Sequence, residues 1–155
     1  MFISPTYDRT EGLYRVVLPT TGELFFSQTR TEAEWAYLGA IAPELVTKAQ
    51  RIAWTNPLLE DHLRKACFVV LEGEIAPCHE PLGGSSSLIR VARVCCQRYS
   101  EHTYQITVWE NKYFCDCPDA LGQDTDYGRR LARAHRSKVA EHTCKHILAY
   151  VLSGV

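Results

Sequence analysis

Residues 113–120 read YFCDCPDA and residues 144–152 read CKHILAYVL. Each string holds two metal-type donors one residue apart: Cys115 with Cys117, and Cys144 with His146. Three thiols and an imidazole form a donor set for tetrahedral zinc, which takes sulfur at roughly 2.3 Å and imidazole nitrogen at roughly 2.0–2.1 Å. Cys115-Asp116-Cys117 can present two thiolates from one tight turn, and Pro118 fixes φ and stops a strand from running on. Thr143 is placed to cap a helix that begins around Cys144-Lys145-His146, so both donors face the metal from its first turn. Ile147, Leu148, Val151 and Leu152 give that helix an apolar stripe. A lone Cys-x-Cys says little, but a Cys-x-His answering it on a terminal helix is a specific pattern. The expectation is one structural Zn²⁺ held by Cys115, Cys117, Cys144 and His146, with His142 the rival to His146 should the helix start earlier. Four protein ligands leave no open position for water, which marks a structural site rather than a catalytic one.

Upstream of the first string, Ser87–Tyr99 and Thr103–Glu110 read as strands. Tyr104, Ile106 and Val108 alternate with Gln105, Thr107 and Trp109, and Asn111-Lys112 is a turn into a short strand reaching Cys115. At the other end of the chain, Leu13–Leu18 and Glu23–Ser27 flank a Thr20–Gly22 turn and predict a hairpin. Thr31 followed by Glu34 is a capping-box pattern that opens a helix through Trp35, Leu38 and Ile41. Pro43 restarts it as a second helix ending before Asn56-Pro57, and a third runs from Leu58 toward Leu71 with Leu63, Ala66, Cys67 and Val70 on one face. Residues 72–87, with Pro77, Pro81, Gly83, Gly84 and Ser85-Ser86-Ser87, read as a linker. The expected fold is therefore α+β, with residues 1–82 a hairpin-plus-helices region and residues 83–155 a small antiparallel zinc-binding module with a long basic insert, 118–143.

With its strands, knuckle and helix in order, the C-terminal part resembles the SWIM zinc finger. That family's pattern is Cys-x-Cys, a variable insert and Cys-x-His in a ββα arrangement, and the likeness covers about residues 88–155. Pro118-Asp119 after the first pair and Lys145 inside the second are common choices in that family. The insert, Pro118 to Thr143, is 26 residues, at the long end for the motif. Members occur in Mutator-type transposases, chromatin-remodelling relatives and recombination-promoting complexes. The resemblance implies binding of DNA or of partner proteins, without chemistry of the module's own. No family suggests itself for residues 1–85.

Composition narrows the partners. The formal charge of -1 hides an asymmetry: residues 1–85 carry seven Lys/Arg against eleven Asp/Glu, a balance of -4, whereas residues 86–155 carry ten against seven, +3. The insert concentrates that excess in Arg129, Arg130, Arg133, Arg136 and Lys138. On a helix Arg129, Arg133 and Arg136 share a face suited to phosphate oxygens. Trp109, Tyr113 and Phe114 are expected to pack the small core; Cys95-Cys96 are read as buried thiols on opposite faces of a strand. The seven cysteines and the absence of a basic, apolar leader fit a soluble intracellular protein whose thiols serve a metal. No P-loop, GxSxG elbow or HExxH is present, so no enzyme is expected. The reading is a nucleic-acid-associated accessory protein in a DNA-processing, recombination or defence complex, with DNA ahead of RNA as ligand. The alternative is a protein–protein adaptor whose basic insert docks an acidic partner. Neither a membrane nor a small-molecule substrate is expected.

Overall fold

The computed structural model describes residues 4–121 and 143–155. They form a mixed α+β fold with two antiparallel sheets. The first sheet contains β1 (Thr6–Asp8), β2 (Leu13–Val17) and β3 (Leu24–Ser27) in that order. Three helical segments follow: α1 (Arg30–Ile41), α2 (Pro43–Thr55) and, after a 3-10 turn at Pro57–Leu59, α3 (Glu60–Glu72). The second sheet is a meander of β4 (Glu74–Leu82), β5 (Ser85–Cys96), β6 (Ser100–Trp109) and β7 (Lys112–Cys115). Then come the short α4 (Pro118–Leu121) and the terminal α5 (Lys145–Ser153). Among the described residues no helix is long and apolar enough to cross a membrane.

The predicted N-terminal hairpin forms, pairing Tyr14 with Ser27 and Val17 with Leu24. The helix after it starts two residues earlier than the Thr31–Glu34 pattern suggests. Thr29 is the N-cap, and its Oγ1 accepts from the Glu32 N–H at 3.2 Å. Ser27 completes the cap: its hydroxyl donates to the Glu32 carboxylate while its Oγ accepts from the Thr29 N–H at 3.1 Å. Thr29-x-x-Glu32 satisfies the same capping motif as Thr31-x-x-Glu34, and the strand's last residue decides between them.

The shift releases Glu34 for a different task. Its carboxylate is buried and accepts from Arg64 Nε on α3 at 2.7 Å and from Arg30 Nε at 2.9 Å. Arg64 also donates to Asp61 Oδ1 at 2.6 Å and Thr31 Oγ1 at 3.1 Å. With partners on both sides, the burial of this charge pair is tolerable, and it bolts α1 to α3. α3 is the central element: Leu63, Ala66, Cys67, Phe68 and Val69 are all essentially inaccessible. Burial pushes the Cys67 thiol up to about 12, so it is inert packing rather than a nucleophile.

Residues 74–82 are not a linker but strand β4, paired with β5 from Glu74↔Cys95 to Pro77↔Ala92 and again from Glu80↔Arg90. Two prolines are tolerated because β4 is an edge strand, where a missing N–H costs no ladder bond. Gly83 and Gly84, both at positive φ (62° and 71°), make the tight hairpin turn. Prolines at an edge and glycines at a turn give the composition of a linker to a well-ordered hairpin. The division expected at 82/83 thus falls inside that turn, and one buried cluster runs from Val16 through α3 to Leu152. Gly73 makes the α3–β4 corner possible: a Cβ there would sit 2.5 Å from the Val69 carbonyl oxygen and 2.6 Å from that of Cys95.

α5 packs on α3 and on one face of the second sheet. Register places Ile106 opposite Cys115 on that covered face. Trp109 lies on the other face and Tyr113 lies beside Tyr150 near the helix end, so they are 45% and 40% exposed instead of forming core. Val151, expected in the apolar stripe, is likewise exposed.

Two substitutions test this architecture by chemical denaturation. Glu34→Ala takes from Arg64 its buried carboxylate partner, leaving it Asp61 and Thr31, and should cost about 3 kcal/mol, the low end for a broken buried pair, whereas Asp61→Ala, at a half-exposed position, should cost about 1 kcal/mol or less. Gly73→Ala should cost about 1–3 kcal/mol through the backbone clash; an equal loss for Ala at Gly39, a half-buried helical glycine with open space where a Cβ would sit, would rule out a special corner.

Candidate metal centre

Cys115 is the last residue of β7, and its register opposite Ile106 turns the side chain inward. Asp116 then leaves the ladder while staying bonded to it. The Gln105 N–H donates to Asp116 Oδ1 at 2.7 Å, and the Asp116 N–H points to the Gln105 carbonyl at 3.4 Å. A side-chain oxygen thereby replaces a ladder acceptor, and the chain bends sharply enough to bring Cys117 to the same side as Cys115. Pro118 begins α4, where its fixed φ suits a first helical residue.

The second pair comes from α5. Cys144, rather than Thr143, is the N-cap, with extended backbone at φ -129° and ψ 171°. Its carbonyl accepts the first helical bond from Leu148 at 3.1 Å. The residue between the two ligands also works: Lys145 pairs with Asp119 of α4, and its ammonium lies 5.5 Å from the Tyr99 ring centroid. That pair ties α4 to α5, and so ties the two halves of the ligand set together.

The four ligand atoms of Cys115, Cys117, Cys144 and His146 lie within 4.8 Å of one another, and all four residues are buried. His146 presents Nδ1, at 3.9 Å from both the Cys115 and the Cys144 sulfur. Tetrahedral zinc with sulfur and nitrogen at their usual bond lengths sets these pairs roughly 3.6 Å apart and two sulfurs roughly 3.8 Å apart. A contraction of a few tenths of an ångström therefore closes the shell around one ion. The imidazole is held by the Tyr104 ring, 4.6 Å away between centroids. The residues present fit a single metal ion.

Electrostatics gives the same picture from the ligands' side. Hydrogen bonding with Cys117 and Cys144, together with burial, drives the Cys115 thiol far above its ordinary value. At Cys144 the Cys115 contact pulls downward, but Cys117 and burial outweigh it and leave the thiol at about 12. Three thiolates cannot share this space without a compensating cation. A dication reverses the balance and makes deprotonation favourable.

The structure thus brings together the four residues expected as ligands. Arg129, Arg130, Arg133, Arg136, Lys138 and the rival ligand His142 lie outside the described residues. Cys78-His79 falls at the irregularity of β4, where the Cys78 thiol donates to the Arg90 carbonyl at 3.6 Å. The supporting roles of Asp116, Tyr104 and the Asp119–Lys145 pair do not follow from the sequence pattern. Asp116 in the middle of Cys-x-Cys is a visible signal, but its use depends on the β6–β7 register. No protein-family model, no curated protein and no solved structure matches the chain. Fold and site together define a mixed α+β protein with a buried Cys₃His cluster able to coordinate one metal ion.

Cys115→Ser or Cys144→Ser should abolish stoichiometric metal uptake and lower the thermal midpoint together. Asp116→Ala should leave the fold intact and weaken metal affinity by about 10- to 100-fold, as removal of a ligand-orienting partner does. Both are read by competition with a chromogenic chelator. Because the thiols must give up protons to bind metal, loading at neutral pH should release protons, and affinity should fall steadily as pH is lowered.

Proposed function

We propose that the ion is Zn²⁺ and that the chain is a SWIM-like, zinc-stabilised binding module, a nucleic-acid-associated accessory protein working inside the cell without chemistry of its own. The observation that carries this reading is the closed, buried Cys₃His cluster. Soft thiolates with one imidazole in a tetrahedral arrangement suit zinc, and four protein ligands leave the ion no position for a reacting water. The ion's role is then to hold two chain segments together.

It also fixes the two ends of the stretch between them. Cys117 and Cys144 meet at the same ion, so both ends of residues 118–143 are anchored at the metal centre. That stretch carries Arg129, Arg130, Arg133, Arg136 and Lys138. Arginines clustered on a tethered segment suit phosphate oxygens, and each phosphate neutralised releases counterions. One observation favours a second reading, a protein–protein adaptor: the exposed Trp109 and Tyr113 on the same module, of a type enriched at interfaces.

Fluorescence anisotropy of zinc-loaded protein with a DNA oligonucleotide, across a salt series, separates the two. Changing Arg129, Arg133 and Arg136 to Ala should weaken binding and reduce the log–log salt slope by about 0.7–0.9 for each phosphate that is no longer neutralised. Absence of any salt-sensitive binding at low ionic strength would sink the nucleic-acid reading. Protein partners that copurify after nuclease treatment would then favour the adaptor.

A further inference from the structure

Helices α1 and α2 and the start of α3 enclose an open groove of about 740 Å³ to which no metal ligand contributes. Its lining includes Glu32, Trp35, Gln50, Ala53, Trp54 and Glu60. On α2 the positions 50, 53 and 54 fall at helical spacing and form one continuous stripe. Glu32 and Trp35 of α1, three residues apart, share the opposite wall. Trp35 is half-buried and forms a fixed floor, whereas Trp54 is 89% exposed. An indole this uncovered contributes almost nothing to the core, and its ring face is open to a ligand in the groove.

The lining also has a sign. Among the described residues its charged groups are the carboxylates of Glu32 and Glu60, with no basic side chain beside them in the lining. Glu32 is held in position by the Ser27 hydroxyl. Aromatic faces carry the negative side of a quadrupole, so the rings and the carboxylates favour the same kind of ligand, a cation. A neutral apolar group would use the rings but strip water from two carboxylates for no return, and an anion would be repelled. The volume is in the range of a peptide segment or drug-sized ligand rather than of one small ion. Lysine and arginine combine what the groove offers: an apolar stem to lie along Trp35 and Ala53, and a charged head to sit between Trp54 and the carboxylates. The surrounding half of the chain, residues 1–85, carries a balance of -4.

We propose that this groove docks a lysine- or arginine-rich segment of a protein partner. The site uses neither the metal centre nor the basic insert, so it stands or falls independently of the function proposed above. Its occupant is opposite in charge to the one proposed for the insert, which gives the protein two complementary faces.

Isothermal titration calorimetry of the zinc-loaded full chain with a decalysine peptide at low ionic strength tests it, with decaglutamate and tetramethylammonium as comparison probes. Decalysine should bind saturably and decaglutamate should not. Trp54→Ala should weaken decalysine about three- to tenfold and Trp54→Phe should recover most of that affinity, because the ring face is what the cation meets. Glu60→Gln should weaken it about two- to threefold and flatten its salt dependence. Trp54 is so exposed that the far-UV circular dichroism of Trp54→Ala should match the parent; if it does not, the exposed Glu60→Gln variant decides the matter alone. No binding of decalysine, or binding unchanged by Trp54→Ala and Glu60→Gln, overturns the proposal. Tetramethylammonium bound as tightly as decalysine also overturns it, since the groove would then be a small-cation receptor.

Discussion

Three thiols and one imidazole occupy a single buried volume where β7, α4 and α5 meet. That crowding is the constraint on which the C-terminal half turns. Without a cation, burial and mutual contact hold the Cys115 and Cys144 protons firmly in place. With a dication the cluster becomes a four-armed crosslink between two segments far apart in sequence. Three neighbouring contacts support the alignment of those arms. Asp116 bends the Cys-x-Cys knuckle against β6, Tyr104 holds the imidazole, and Lys145 with Asp119 clamps α4 to α5.

The N-terminal half is the wall against which this is built. α3 packs on α1 and α2 and also on α5, so the helix bearing Cys144 and His146 is positioned by residues more than seventy positions earlier. Two ion pairs fix α3 at its ends. Arg64 with Glu34 locks it to α1, and Arg98 of the β5–β6 turn grips Glu72 at 2.7 Å while lying 4.3 Å over the Phe68 ring. Such pairs do little for stability compared with apolar packing, but each is costly to break on one side. They therefore specify which arrangement of the helices is allowed.

Much of this is legible in the sequence because it is local. The hairpin at 13–27, the Pro43 restart, the Asn56-Pro57 boundary, the β6 alternation and the turn before β7 all follow from propensity and period. So do the four ligands, whose chemistry and spacing are specific. What escapes a local reading depends on partners distant in the chain. β4 has a linker's composition, and only its pairing with β5 reveals a strand. The choice of Thr29 over Thr31 as cap is made by Ser27, and the burial of Glu34 by Arg64, thirty residues on. Trp109 and Tyr113 can be sorted from the core only once the face covered by α5 is known.

Zinc K-edge X-ray absorption of the purified, metal-loaded chain reads the ligand shell itself. The expected shell is one zinc with three sulfurs at roughly 2.3 Å and one nitrogen at roughly 2.0–2.1 Å. A shell containing a water oxygen, or fewer than three sulfurs, would contradict a closed structural site.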